Sequence, residues 1–240
     1  MLVDQLTAAL WERKPHCAPA ASSGAPRGFY GRVQELAGLS RAAEGEAPVC
    51  LVTGPAGDGK TALVMQWARR NRVGFPGGRL YADLRGFGDT GEPTPAEVLR
   101  EFLLALGGAP HRMPESVNGA ATPFRLLAAD RELLVVLDNA RDSEQVRSLL
   151  PGGPRCVTVV TSRHRLSGLI VTDATRSVPV DVLTPEDGTA LLAGMLGHER
   201  VLAEPAAARR PAELCGGLPL ALRVAAARPV DRPGWTLNDM

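Results

Sequence analysis

Residues 54 to 61 read Gly-Pro-Ala-Gly-Asp-Gly-Lys-Thr and satisfy G-x-x-x-x-G-K-[ST], the pattern of a loop that wraps phosphate. Gly54, Gly57 and Gly59 let the backbone curl so that successive N–H groups turn inward on an anion, and the start of the following helix adds partial positive charge. Lys60 supplies a mobile ammonium for β- and γ-phosphates. Thr61 offers a hydroxyl to Mg²⁺, which keeps several waters and needs few protein ligands. With Ala62 just beyond, this set predicts binding of a purine nucleotide, ATP or ADP with Mg²⁺. Asp58 is the discordant member, since it sets a carboxylate where polyphosphate charge gathers. Facing outward it costs little; facing inward it weakens triphosphate binding.

A loop of this kind needs a second strand that brings an acid to the metal, and the run LLVVL ending in Asp138 meets that need. An acid at the C-terminal edge of such a strand stands in the ligand crevice of an open α/β sheet. Thr61 and Asp138 are therefore the expected metal residues. Next to Asp138 is Asn139, whose amide cannot take a proton from an attacking water, so slow or absent hydrolysis is expected. Another run, CVTVVTSR, ends in Thr161, Ser162 and Arg163. Arg163 at that edge is placed to contact a γ-phosphate; the alternative is a pairing with a surface acid.

The elements that position these residues are legible from pattern. Apolar β-like runs at 49 to 53, 79 to 84, 133 to 138, 156 to 162 and 177 to 183 alternate with helical stretches, the rhythm of a parallel sheet with crossover helices. Ala62, Leu63, Val64, Trp67 and Ala68 carry the helix out of the loop. Thr94-Pro95-Ala96-Glu97 gives an N-cap, a first-position Pro and a capping-box Glu, ahead of Val98, Leu99, Phe102, Leu103 and Leu106, with Gly107 as the stop. Thr184-Pro185-Glu186-Asp187 repeats the start, followed by Leu191, Leu192, Met195 and Leu196, with Gly197 as the stop. After Leu183 the β-like runs cease. The expected division is 1–27 as a helix through Leu2, Leu6, Leu10 and Trp11 plus a Pro/Ala/Ser/Gly linker, 28–183 as the α/β unit, 184–227 as a helical subdomain and 228–240 as a tail.

The composition favours α/β, and 240 residues give ample core without disulfides or a structural metal. The formal charge of +1, with both signs interspersed, builds no field for nucleic acid or an anionic membrane. Arg69, Arg70 and Arg72 cluster where they close a helix and complement its dipole. Cys17, Cys50, Cys156 and Cys215 are widely spaced, without a Cys-x-x-Cys pair, and read as reduced thiols. No apolar stretch approaches the ~20 residues of a membrane span, so a cytoplasmic location and no membrane partner are expected.

In order, GFYGRVQEL (28 to 36), GPAGDGKTAL (54 to 63), LLVVLDNARD (133 to 142), VTVVTSRHRL (157 to 166) and CGGLPLAL (215 to 222) resemble the NB-ARC module of STAND-type signalling ATPases, as carried by bacterial transcriptional regulators of antibiotic production. The resemblance covers residues 28 to about 227. It implies a P-loop NTPase sheet of strand order 5-1-4-3-2, followed by a small helical subdomain. It places Tyr30, Gly31 and Arg32 against the adenine and ribose, and Pro219 of the Gly217-Leu218-Pro219-Leu220 segment near the base. Asp138 becomes the Mg²⁺-associated acid and Arg163 the sensor arginine. Asp58 stands where this family usually has an aliphatic residue. Such proteins continue into a winged-helix subdomain and helical repeats, so a truncated module is expected, and none of His16, His111, His164 or His198 sits where the winged-helix histidine belongs. The function implied is a nucleotide-dependent switch of a regulatory protein, with protein partners or self-association. Two alternatives stand beside it: a true Mg²⁺-dependent ATPase whose water is oriented by another residue such as Asp142, and an interaction module with a vestigial site. Direct DNA binding is not expected, because no recognition helix with a basic face is visible.

Overall fold

The computed structural model describes residues 29–46, 48–87, 91–108 and 116–230, with side chains to 227. The expected helix at 1–13 and the linker after it lie outside the described residues, as does the tail beyond 230.

Five short apolar runs become strands β1 (Val49–Thr53), β2 (Gly78–Asp83), β3 (Leu133–Ala140), β4 (Val157–Ser162) and β5 (Arg176–Pro179). All neighbours pair in parallel, in the order β2-β3-β4-β1-β5. This is the expected order 5-1-4-3-2 read from the other edge. The side-chain period of two sends alternate residues to opposite faces. Leu133, Val135 and Leu137 of β3, with Val49 and Leu51 of β1, enter one core. Leu134 and Val136, with Cys50 and Val52, enter the other. Both faces are covered, which is why the strands read as continuous apolar runs rather than alternating ones.

Helices α1 (Val33–Ala42) and α2 (Lys60–Arg70) cover the second face and are tied by the Trp67 indole N–H donating to Ser40 Oγ at 3.0 Å. The first face is covered by α3 (Pro95–Ala105), α4 (Val117–Ala128), α5 (Ser143–Arg147) and α6 (Ser167–Thr172). The capping box predicted for α3 is present. Thr94 N–H donates to Glu97 Oε2 at 2.8 Å and Glu97 N–H to Thr94 Oγ1 at 3.3 Å. Helix α4 carried no strong sequence signal, because Gly119 and Pro123 lie inside it and both disfavour a helix interior. It forms because Ser116 caps it and Ala120, Ala121, Phe124 and Ala128 bury against the sheet.

The run at 177 to 183 is shorter as a strand than its apolar pattern suggests. Thr53 pairs with Pro179 and β1 ends there, so after Val180 N–H donates to Thr53 O at 2.7 Å no ladder remains to extend. The chain then becomes helical through α7 (Pro185–Leu196), α8 (His198–Ala203), α9 (Pro205–Leu214) and α10 (Pro219–Val230). Helices α7, α9 and α10 pack around Leu183, Leu191, Leu192, Ala212, Leu222 and Ala226, and α8 joins α7 and α9 through Val201, Ala193 and Ala208. Helix α10 continues to Val230, past the expected end of the bundle at 227. Among the described residues no helix is long and apolar enough to cross a membrane.

Candidate functional site

The loop from Gly54 to Thr61 leaves the C-terminal end of β1 and enters α2. Gly57 and Gly59 hold φ of 82° and 94°, the left-handed region that glycine adopts without a Cβ penalty. The Lys60 ammonium folds back over the loop and donates to Gly54 O at 2.8 Å, Pro55 O at 2.6 Å and Asp58 Oδ1 at 2.9 Å. Asp58 faces inward. It is 1% exposed, its Oδ1 also accepts Lys60 N–H at 3.1 Å, and its Oδ2 has no hydrogen-bond partner. Ala62 sits half-buried in the first turn of α2.

Thr61 and Asp138, distant in sequence, meet at this loop. The Thr61 hydroxyl lies 2.9 Å from both carboxylate oxygens. Thr161 Oγ1 donates to Asp138 Oδ1 in a short bond, and Tyr81 OH donates to Oδ2 at 3.0 Å. Thr161 Oγ1 in turn accepts Asn139 N–H at 2.9 Å. Burial raises the Asp138 carboxyl pKa above the ordinary value, the hydroxyls of Thr161 and Thr61 pull it back, and Asp83 pushes it up again. Burial and the same acid drive the Tyr81 phenol upward, so this hydroxyl stays a donor. The loop spacing indicates Thr61, and the apolar run that ends in an acid indicates Asp138. Neither signal marks Tyr81, whose bond to Asp138 depends on β2 lying beside β3, with Tyr81 in register with Val136.

The remaining site residues surround the same loop. Arg32, left-handed at φ 63° and 7% exposed, donates to the Asp58 backbone O at 3.1 Å and to Glu35 Oε1 at 2.7 Å. Its guanidinium therefore braces the phosphate loop. Gly31 is pressed by the Asp187 carboxylate of α7, and Tyr30 lies so close to Gly194 that a Cβ there would collide with its ring. Pro219 packs beside Gly59, and Leu220 N–H donates to Gly57 O at 3.1 Å. The start of α10 thus touches the phosphate loop directly. Leu220, which sequence reasoning did not single out as a contact, carries that bond.

Arg163 is exposed and lies 4.7 Å from the centroid of the Phe87 ring, which packs edge-on against His164. Asn139 adopts φ 60° at an irregularity in β3. Asp142 caps α5, accepting Gln145 N–H at 2.9 Å. Among the described residues no group of three or more His, Cys, Asp or Glu could hold a metal alone. A cation here would rest on the Thr61 hydroxyl, the Asp138 carboxylate, waters and a bound phosphate, an all-oxygen set that suits Mg²⁺.

A parallel five-stranded sheet, a glycine loop between β1 and α2, and an acid at the end of the strand two places away define a P-loop ATPase fold. Solved structures agree. The Walker-type ATPase PABY2304 of Pyrococcus abyssi superposes with a TM-score of 0.63 at 15% identity over 85% of this chain and 69% of its own. The ORC2 protein of Aeropyrum pernix does so at 0.59 and 16% over 91% and 69%. No family model matches the chain. In sequence it is similar to regulatory protein AfsR of Streptomyces coelicolor, 41% identical over 229 residues, and to regulatory protein AfsR of Streptomyces griseus, 41% over 214 residues. Those stretches are 92% and 88% of this chain but 23% and 22% of the relatives, so the chain spans about a quarter of the curated relatives it matches.

Proposed function

We propose that this chain is an ATP- and ADP-binding NB-ARC (STAND) module acting as the nucleotide-dependent switch of a cytoplasmic regulatory protein, with slow or absent hydrolysis. The observation that carries this reading is the bond from Leu220 N–H to Gly57 O at 3.1 Å. It couples the helical segment to the loop that would hold the phosphates, so a change in phosphate number reaches α10 without an intermediary.

The roles follow from position. The loop N–H groups and Lys60 hold the β-phosphate, and Thr61 with Asp138 holds Mg²⁺, which neutralises phosphate charge. Tyr30, Gly31 and Pro219 enclose the base between the sheet unit (28–183) and the helical subdomain (184–227). Arg32, which the motif sets beside the adenine and ribose, also braces the loop through Asp58 O at 3.1 Å. Arg163 stands ready to leave the Phe87 ring for a γ-phosphate. Similarity to regulatory protein AfsR supports the regulatory setting, with a protein partner or a second copy as the recipient of the signal. Mass spectrometry of nucleotide released from the purified, denatured protein tests the reading. ADP is expected; a preparation that carries no nucleotide and binds neither ADP nor ATP at millimolar concentration would leave only the vestigial-site interpretation.

A second reading, active hydrolysis, is favoured by Asp83, which registers with Asp138 across β2 and β3 and supplies a carboxylate where Asn139 cannot act as a base. Each of the two carboxylates spends one oxygen on a backbone N–H, Asp142 on that of Gln145 and Asp83 on that of Arg85, both at 2.9 Å. Single-turnover hydrolysis that vanishes in Asp83→Asn and persists in Asp142→Ala would establish that reading over a non-hydrolysing switch.

A further inference from the structure

An ammonium has three N–H donors and no acceptor. Lys60 spends all three, on Gly54 O at 2.8 Å, Pro55 O at 2.6 Å and Asp58 Oδ1 at 2.9 Å. The two backbone carbonyls belong to the loop's own frame. Asp58 is an added anion, 1% exposed and facing a lysine that is 8% exposed, so the pair is shielded from the solvent that weakens surface ion pairs. We infer that Asp58 is an internal counter-anion occupying the donor of Lys60 that a β-phosphate would take, and that it sets the affinity of the site for nucleoside di- and triphosphates. The inference rests on the nucleotide-binding reading above and names the residue that tunes it.

A phosphate oxygen entering the loop must displace Asp58 Oδ1 from the ammonium. Asp58 then keeps a single partner, Lys60 N–H at 3.1 Å, because its Oδ2 has none and the surrounding protein admits almost no water. The incoming ligand therefore exchanges one charge-assisted hydrogen bond for another and leaves a buried carboxylate poorly satisfied. An uncharged residue at position 58 removes that opposition. Losing one charge-assisted bond's worth of competition corresponds to a gain of about tenfold to a hundredfold in affinity. The effect is confined to ligands long enough to reach Lys60, since the α-phosphate is held by loop N–H groups.

The test compares the whole chain with Asp58→Asn and Asp58→Val, the second variant guarding against a local folding defect in the first. ADP, ATP and AMP affinities are measured by calorimetry or by competition against a fluorescent ADP analogue, after circular dichroism confirms the fold. Tightening of ADP and ATP by about tenfold or more, with AMP changed by no more than about twofold, supports the inference. Unchanged or weaker ADP and ATP binding in both variants overturns it while leaving the nucleotide site standing. Equal tightening of AMP also overturns it, because that would signal a general change in the loop. No binding of any nucleotide by the parent or the variants removes the site itself.

Discussion

At the residue scale, Asp138 is held by hydroxyls from three places in the chain: Thr61 of the loop, Thr161 of β4 and Tyr81 of β2. Hydrogen bonds to a charged, buried acceptor are worth about 1.5 to 3 kcal/mol, and neutral ones about 1. Tyr81→Phe removes one donor without changing the ring volume, so a loss of about 1 to 3 kcal/mol is expected in urea unfolding without nucleotide. A loss below about 0.5 kcal/mol would mean that Thr61 and Thr161 satisfy the carboxylate alone. Thiol chemistry offers a second check. Burial drives the Cys50 thiol up to about 12 and raises that of Cys156 as well, whereas Cys215 is only half-buried. At pH 8 the thiolate fraction of Cys50 is then about one part in ten thousand. Iodoacetamide on the native protein should label Cys215 and spare Cys50 and Cys156, as read by peptide mass mapping. That Lys60, Thr61 and Asp138 lie together at the loop is legible in the sequence, because their positions follow from local spacing or from a strand edge. Tyr81 was not, because its role depends on strand register, and neither was the inward face of Asp58, which depends on how one loop side chain turns.

At the element scale, β1 was legible to the residue, since its apolar run ends where the glycine loop must begin. The capped helices α3 and α7 were nearly as clear, each started by a Thr side chain that accepts a backbone N–H and stopped near a left-handed glycine. Less visible was how the helical segment joins the sheet unit, because two of its bonds run between backbone groups, Leu220 N–H to Gly57 O and Leu183 N–H to Gly217 O, which side-chain patterns do not encode. Gly217 is its tightest point. It holds φ 67°, its carbonyl accepts Leu183 N–H at 2.8 Å, and a Cβ there would run into the Leu183 carbonyl. Backbone cannot yield as a flexible side chain does, so Gly217→Ala combines left-handed strain of about 1 kcal/mol with a displaced strand-to-helix junction. The expected result is faster amide hydrogen exchange across α7 to α10 with the strands unchanged. Faster exchange throughout the sheet, or none anywhere, would show that the joint is not local.

At the scale of the whole molecule, two sets of cores meet at the phosphate loop. The sheet carries one apolar cluster on each face, and the helical segment has its own. Between them lie a few specific contacts: Leu220 N–H on Gly57 O and Leu183 N–H on Gly217 O, Tyr30 against the helical core, and Asp187 against Gly31. Each part has apolar cores of its own, so the two are expected to open separately when no nucleotide is present. A nucleotide lodged in the loop and touched by Pro219 and Tyr30 would add contacts to both sides at once. At a free concentration of 100 times Kd it stabilises the folded form by about 2.7 kcal/mol, which at this chain length raises Tm by about 5 to 10 °C. Calorimetry should therefore show two overlapping transitions in nucleotide-free protein, merging into one at higher temperature with saturating ADP. A single two-state transition without nucleotide would mean that the joint is as strong as the cores, and a helical segment so fixed could not swing in response to phosphate number.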